Sequence, residues 1–306
     1  MKKINCRIGI DLGGTKIESI VIDYDGNEIY RERISTPKDD YSGTLNSIKN
    51  LVQKSELETG LYGTIGVGIP GTISKQTNLV KNANSTVLIG KSLDKDLELI
   101  LGRRVRLAND ANCLALSEYI DGAGERYASL FAVILGTGVG GGLVIDGNIF
   151  EGANLISGEW GHNPLPWPDV NESPGPDCYC GLKGCIETFL SGSGLENTFY
   201  KITGDIISAD KISEKLQNNN QDAIKAMELY ENRLARGLAM IVNILDPEII
   251  VLGGGVSNID RLYPNIKKIW NKYIISTDEE VNTPVVQAKH GDSSGVRGAA
   301  WLWPEI

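Results

Sequence analysis

Cysteine and histidine are scarce in this chain of 306 residues, which contains five cysteines and two histidines. The odd number of cysteines argues against a framework of disulfides. Long apolar runs are also absent, since no segment approaches the ~18 to 20 apolar residues that span a bilayer. In the opening stretch "MKKINCRIGID", Arg7 and Asp11 interrupt the apolar run, and no small-residue cleavage site follows. We therefore expect a cytoplasmic protein with no membrane partner.

Positive charge is in deficit, because 30 basic residues face 39 acidic ones and give a formal charge of −9. Nucleic-acid binding requires a basic face, so we expect no nucleic-acid partner. ATP is not excluded, because its phosphates need only a local cradle and a metal ion. The length of the chain suits two domains of ordinary size.

Two stretches of the chain are similar to each other. Residues 7–34 read as strand, glycine-rich turn, strand, Asp-Gly turn and strand, and residues 129–150 repeat that order. Helical patterns that alternate with strand patterns follow each stretch, which indicates an α/β protein. The sequence thus predicts a duplicated β-β-β-α-β-α unit with a ligand cleft between the two halves. We expect a small N-terminal domain at 1–120, completed by a C-terminal helix at 292–306, and a larger domain at 121–291.

The first repeat contains the glycine-rich turn "DLGGTK". Gly13 and Gly14 permit positive φ and let backbone N–H groups approach a phosphate, while Thr15 adds a hydroxyl donor. Asp11, at the end of the strand, is placed to hold Mg²⁺ through water. A tight hairpin that binds no ligand fits this motif equally well.

Two further glycine-rich turns follow. "LGTGVGGG" has the letters of a dinucleotide fingerprint, Gly136-x-Gly138-x-x-Gly141, but a strand pattern follows it where a helix is required. We therefore exclude a Rossmann site and interpret the stretch as a second phosphate turn with Thr137 as hydroxyl donor. The third turn, "LGGGVS" at 252–257, suits contact with an adenine or ribose, or tight packing of a loop. Each turn is a weak signal, but the three in this order are a strong one.

The stretch "RLANDANC" places Asp110 where a strand pattern gives way to a helix. A carboxylate at that point caps the helix and is favoured by the helix dipole. From these residues alone a plain cap is the preferred interpretation, and a catalytic carboxylate is the alternative.

One histidine and three cysteines form the pattern His162-x15-Cys178-x-Cys180-x4-Cys185. Three thiolates and one imidazole fill a tetrahedral structural zinc site of the Cys₃His kind. A redox pair fits less well, because "CYC" is shorter than the usual C-x-x-C, and buried free thiols are the remaining alternative. The loop inside the pattern contains five prolines and little to form a core, so a metal clip would fix its shape.

Together the motifs resemble the actin/hexokinase/heat-shock ATPase superfamily and, more closely, the ROK family of bacterial sugar kinases. The resemblance is carried by "DLGGTK", "GVGIPG", "ANDANC", "GTGVGGG", "GEWGH", "CYCGLKGCIE" and "IVLGGGVS", which span nearly the whole chain. It implies a two-domain actin/hexokinase-like (ribonuclease H-like) fold with an inter-domain cleft, and a homodimer.

The resemblance also implies a role for each candidate residue. Asp110 matches the catalytic base of the family, which accepts the proton of a sugar hydroxyl. ATP with Mg²⁺ is expected to bind Asp11, Gly13, Gly14, Thr15, Lys16, Gly136, Thr137, Gly138, Gly254 and Gly255. The hexose is expected to contact Asn109, Gly71, Glu159, His162 and Glu187. The two glutamates fit a solvated surface equally well without the resemblance. Structural Zn²⁺ is expected on His162, Cys178, Cys180 and Cys185.

The sugar is predicted from a closer resemblance. The runs "VKNANST", "GHNPLPW", "CYCGLKGCIETFLSG" and "GDSSGVRGAAWLWP" look like the bacterial fructokinase branch, which also takes mannose. We therefore expect ATP-dependent phosphorylation of the 6-hydroxyl of fructose, with mannose or glucose as further substrates. The alternatives are an N-acetylhexosamine kinase, acting on N-acetylglucosamine or N-acetylmannosamine, and a sugar-sensing protein that transfers no phosphate.

Overall fold

The computed structural model describes residues 4–83, 85–276 and 279–303. Asn84 of the "VKNANST" run and the last three residues of the predicted C-terminal helix lie outside the described residues. Within them the strands are β1 (Cys6–Leu12), β2 (Lys16–Ile22), β3 (Glu28–Ser35), β4 (Gly63–Ile69), β5 (Thr72–Ile73), β6 (Val80–Lys81), β7 (Val105–Asn109), β8 (Ser129–Leu135), β9 (Val139–Ile145), β10 (Asn148–Ile149), β11 (Ile249–Gly253) and β12 (Val285–Gln287). The α-helices are α1 (Tyr41–Thr59), α2 (Leu93–Leu101), α3 (Asp110–Ile120), α4 (Glu187–Leu190), α5 (Gly192–Thr203), α6 (Ala209–Gln217), α7 (Gln221–Leu245), α8 (Leu262–Trp270) and α9 (Ser294–Trp301).

The first sheet has the strand order β3-β2-β1-β4-β7. β2 pairs antiparallel with β1 and β3, whereas β1, β4 and β7 are parallel. All seven residues of β4 are buried, as expected for a parallel strand covered on both faces. β3 lies at the edge, and its outer residues alternate in exposure.

The second sheet has the order β10-β9-β8-β11-β12 and repeats this plan. β9 and β10 form the antiparallel hairpin, and β8, β11 and β12 are the parallel strands. The predicted α/β fold with a duplicated strand plan is confirmed. No helix in the described part of the chain is long and apolar enough to cross a membrane.

The chain divides into two compact units. The first comprises Met1–Arg126, Gly142–Ser157 and Lys289–Ile306, and the second comprises Tyr127–Gly141 and Gly158–Ala288. The core of the first unit is built from apolar side chains of β1, β4, α1 and α2, such as Ile8, Val67 and Ile48. The predicted domain limits remain a prediction.

Helix α9 packs against β1, β4 and α3 at positions that carry no side chain. A Cβ added at Gly9 would lie 2.1 Å from the backbone of α9, and one added at Gly66 would lie 1.8 Å from it. On α9 itself, a Cβ at Gly298 would lie 1.7 Å from the carbonyl oxygen of Cys113. Real atoms cannot approach so closely, so glycine is required wherever these backbones meet.

Gly298→Ala is expected to destabilise the protein by about 1–3 kcal/mol, because the new methyl group must push α3 and α9 apart. Chemical denaturation measures the free energy of unfolding. Gly295→Ala is the matched control on the same helix, since its Cβ would meet its nearest neighbour, the Asp11 carboxylate, at an ordinary 3.5 Å. Equal stabilities of the two variants would contradict this account of the packing.

Candidate active site

The first glycine-rich turn connects β1 to β2. The N–H of Gly13 donates to the carbonyl of Lys16 at 3.0 Å, and the hydroxyl of Thr36 donates to the carbonyl of Gly13 at 2.7 Å. Gly14 and Thr15 are exposed, and a Cβ at Gly14 would meet nothing within 4 Å. Neither glycine has a positive φ, so the conformational reason expected from the sequence does not apply here. Gly14 contributes open space above the backbone, whereas a Cβ at Gly13 would lie 3.0 Å from the carbonyl oxygen of Lys16.

Asp11 ends β1, and Asp110 begins α3 directly after β7. Because β1, β4 and β7 are parallel, their carboxyl ends lie at the same edge of the sheet. Burial, followed by the negative charges of Asp110 and Glu18, raises the pKa of Asp11 to about 7. A buried carboxylate close to other carboxylates is an arrangement that a bound cation stabilises. The chemistry of this edge therefore fits Mg²⁺.

The cap of α3 is provided by Asn109, whose side-chain oxygen accepts a hydrogen bond from the N–H of Ala111 at 2.9 Å. Asp110 is the first helical residue, and its Oδ1 accepts from the same N–H at 2.8 Å. The preferred interpretation of Asp110 as a plain cap is therefore wrong, since its neighbour occupies the cap position. The side-chain amide of Asn109 donates to the carbonyl of Gly71 at 3.3 Å. Gly71 has a φ of 107°, which favours glycine.

The second glycine-rich turn lies between β8 and β9 in the second unit. It is closed by the N–H of Gly136, which donates to the carbonyl of Gly138 at 3.0 Å. The N–H of Val139 donates to Oε2 of Glu187 at 2.9 Å. Thr137 is exposed at the tip of the turn. The turn predicted to bind phosphate thus contacts a glutamate that was predicted to bind the sugar.

The third turn follows β11. Gly254 has a φ of 85°, and a Cβ there would lie 2.6 Å from the carbonyl oxygen of Leu135. A Cβ at Gly255 would meet nothing within 4 Å. Packing explains why glycine is needed at position 254. It does not explain Gly255, whose open backbone suits contact with a flat ligand.

The predicted metal ligands converge in the second unit. Nδ1 of His162 lies 3.6 Å from Sγ of Cys178, and Sγ of Cys180 lies 3.6 Å from Sγ of Cys185. All four ligand atoms lie within 4.8 Å of one another. Sulfur atoms about 2.3 Å from a tetrahedral zinc are about 3.8 Å apart, whereas a disulfide requires about 2.05 Å. The cluster fits structural Zn²⁺, and the 3.6 Å between Sγ of Cys180 and Sγ of Cys185 is too long for a disulfide.

Tight turns bring these ligands together. Gly181 and Gly184 have φ values of 90° and 69°, a conformation that favours glycine and lets the loop curl tightly. The N–H of Cys178 donates to the carbonyl of Leu182 at 2.8 Å, and Pro164 pairs with Cys185 in an isolated bridge. The loop is therefore shaped in part by its own backbone.

A buried ion cluster, which the sequence did not predict, anchors the proline-rich loop to α7. Glu172 is 5% exposed and accepts hydrogen bonds from Nε of Arg233 at 2.7 Å and from Nη2 of Arg236 at 2.7 Å. Burial alone would raise the pKa of Glu172, but hydrogen bonds from the two arginines outweigh it and lower the pKa. Arg236 also donates to the carbonyl of Trp167 at 2.6 Å. This anchor contains no metal ligand.

Tyr179 is a second residue that the sequence analysis missed. Its hydroxyl lies 2.9 Å from Nε2 of His162, the ring nitrogen that does not face the thiols. Tyr179 as a whole is 71% exposed, but reduced solvation around its hydroxyl and then the charges of Glu187 and Glu159 raise its pKa to about 12. The tyrosine thus lies near both predicted sugar-binding glutamates. Its position between Cys178 and Cys180 was the signal available in the sequence.

The duplicated strand plan, with a glycine-rich hairpin turn in each repeat, is the fold of the hexokinase-like class. The chain matches the ROK family over residues 7–306 and belongs to that family. The predicted recognition of a ROK sugar kinase is therefore confirmed.

Individual relatives support the assignment to this family. The N-acetyl-D-glucosamine kinase of Haemophilus influenzae (strain 86-028NP) is 39% identical over 300 residues, which cover 96% of this chain and 98% of the relative. The structure of a ROK hexokinase from Thermus thermophilus has a TM-score of 0.84 and 29% identity, with 96% of each chain covered. A ROK family glucokinase from Streptomyces griseus, in complex with glucose and AMPPNP, has a TM-score of 0.82 and 27% identity, with 97% of this chain and 98% of the other covered.

The predicted fructokinase specificity is wrong. Seven further curated relatives, 38–41% identical, are also described as N-acetyl-D-glucosamine kinases. Two of the runs behind this prediction have structural roles. "CYCGLKGCIETFLSG" contains three of the four residues of the metal cluster, and "GDSSGVRGAAWLWP" contains helix α9. Apart from Glu187, their residues serve the metal cluster and the packing of α9, so these runs do not identify which hexose is bound.

Protein purified without added metal is expected to contain about one zinc per chain, because the site offers four ligands and no open position. Cys185→Ser should lose most of this zinc, as elemental analysis measures. Cys6→Ala is the matched control, since this cysteine is buried in the core of the first unit. Wild-type protein without zinc, or a Cys185→Ser variant with a full complement, would contradict the assignment.

Proposed function

We propose that the protein transfers the γ-phosphoryl group of ATP to the 6-hydroxyl of N-acetyl-D-glucosamine. The observation that carries this proposal is the 39% identity to the Haemophilus influenzae enzyme over 98% of that enzyme's length. The geometry supports the same chemistry, because a carboxylate begins α3 at the sheet edge where a second, buried carboxylate suits a cation.

The nucleotide is assigned to the three glycine-rich turns. Backbone N–H groups and hydroxyls of the first two turns receive the phosphates, and the third turn receives the adenosine. Asp11 would hold Mg²⁺, which supplies positive charge against the phosphate oxygens. The residues assigned to ATP and Mg²⁺ are Asp11, Gly13, Gly14, Thr15, Lys16, Gly136, Thr137, Gly138, Gly254 and Gly255.

The sugar is assigned to a set of polar side chains. Asn109 is fixed by its cap and by the carbonyl of Gly71, so its amide is oriented before the sugar binds. Glu159 and Glu187 supply acceptors for adjacent hydroxyl groups, whereas His162, whose Nδ1 is assigned to zinc, supplies a donor through Nε2–H.

Asp110 is assigned the role of catalytic base. It accepts the proton of the 6-hydroxyl while that oxygen forms a bond to the γ-phosphorus and the bond to the bridging oxygen of ADP breaks. The transition state is loose, so the carboxylate is needed late and positioning contributes most. The residues assigned to zinc (His162, Cys178, Cys180 and Cys185) shape the loop and take no part in phosphoryl transfer.

A panel of sugars in a coupled ADP assay tests the substrate. N-acetyl-D-glucosamine is expected to give a kcat/KM at least about tenfold above those of glucose, mannose, fructose and N-acetylmannosamine, because pocket contacts of about 1.4 kcal/mol suffice for that ratio. Turnover of glucose or N-acetylmannosamine in preference to N-acetyl-D-glucosamine would overturn the proposed substrate and leave the kinase assignment standing.

Asp110→Asn is expected to lower kcat by about 10²- to 10⁴-fold, because the amide cannot accept the proton. Sugar affinity, measured by calorimetry, should change little, since the side chain keeps its shape. Asp25→Asn, at an exposed turn of the first unit, is the matched control and should keep full activity. A kcat close to that of the wild type would remove Asp110 from its assigned role.

A further inference from the structure

The carboxylate of Glu187 and the second glycine-rich turn, residues 136–139, are packed directly against each other. Oε2 of Glu187 accepts a hydrogen bond from the N–H of Val139 at 2.9 Å. A Cβ added at Gly138 would lie 2.7 Å from the same oxygen, so even a methyl group does not fit between them. The glycine at this position is thus explained by the carboxylate as well as by a phosphate.

The segment that follows Glu187 holds the other end of the same turn. The N–H of Gly192 donates to the carbonyl of Gly136 at 2.7 Å. The turn is therefore held at both ends by residues 187–192, which include the whole of α4. Its shape does not depend on its own hydrogen bond alone.

A carboxylate has two oxygens and about four lone-pair positions. One backbone N–H occupies one position on Oε2, and the capacity of Oε1 is left for hydroxyl donors. A single side chain is thus able to hold the turn and to accept hydrogen bonds from a sugar at the same time.

We propose that Glu187 is a positioning residue for the nucleotide in addition to its assigned role as a sugar ligand. Oε2 fixes the peptide groups of the turn in the orientation that receives the ATP phosphates, and Oε1 receives the sugar. This inference rests on the proposed function, because that function assigns the phosphates to this turn.

Electrostatic repulsion makes the opposite prediction. A carboxylate next to a phosphate site repels the phosphate, so removing its charge would tighten nucleotide binding. The two effects are separable by substitution. Gln keeps the acceptor oxygen without the charge, whereas Asp keeps the charge but is one methylene too short to reach Val139.

The test measures the affinity of the full-length protein for Mg·AMPPNP by calorimetry in the absence of sugar. Glu187→Ala and Glu187→Asp are expected to bind about three- to tenfold more weakly, the effect of one lost hydrogen bond. Glu187→Gln should bind within about twofold of the wild type, since its amide oxygen accepts from the same N–H. Glu159→Ala is the matched control and should also stay within about twofold, because no hydrogen bond in the described part of the chain connects Glu159 to this turn.

Sugar affinity, measured separately without nucleotide, is expected to fall in all four variants. Glu187→Gln would then separate the two roles, with nucleotide affinity kept and sugar affinity lost. Nucleotide binding by Glu187→Asp or Glu187→Ala that equals or exceeds the wild type would overturn the inference, and so would a Gln variant as weak as the Ala variant. The nucleotide measurement contains no sugar, so an error in the proposed sugar leaves its outcome unchanged. Absence of Mg·AMPPNP binding by the wild type would overturn the nucleotide assignment itself.

Discussion

Backbone contact without side chains is the constraint on which the first unit depends. Gly9, Gly66 and Gly298 let α9 lie directly against β1, β4 and α3. β1 ends at Asp11 and α3 begins at Asp110, so the elements that carry both carboxylates are fixed by the same helix. The carboxylates of Asp11 and Asp110 repel each other. Burial, followed by this repulsion, raises the pKa of Asp11 to about 7. The close packing of α9 therefore keeps the carboxylates of Asp11 and Asp110 near each other although they repel.

The proline-rich loop of the second unit is stabilised differently, because it has little apolar surface to bury. Two polar anchors hold this loop in place of an apolar core. One is the four-ligand cluster that fits Zn²⁺, and the other is Glu172 with its two arginines on α7. A buried ion pair contributes little net stability but fixes geometry, because breaking it leaves an uncompensated charge. Within the four-ligand cluster, Tyr179 lies next to His162.

Local patterns were predictable from the sequence, and distant partners were not. The zinc ligands lie within 24 residues and their spacing predicts their chemistry, as the repeated hairpins predict the fold. Glu172 is 61 residues from Arg233, and nothing in either stretch indicates the other. The cap at Asn109 was missed because both it and its neighbour are good capping residues. The sugar was mispredicted because most residues of the motifs used belong to the scaffold, whereas discrimination between hexoses depends on the space around individual substituents.

The position of α9 in the chain has a consequence for biosynthesis. The ribosome makes the strands of the first sheet early, but the helix that fills the groove above Gly9 and Gly66 follows the whole of the second unit. The second unit is thus able to fold while the first is still incomplete. Until α9 emerges, β1 and β4 expose apolar residues to solvent, and a nascent chain stalled before residue 294 is expected to need chaperones.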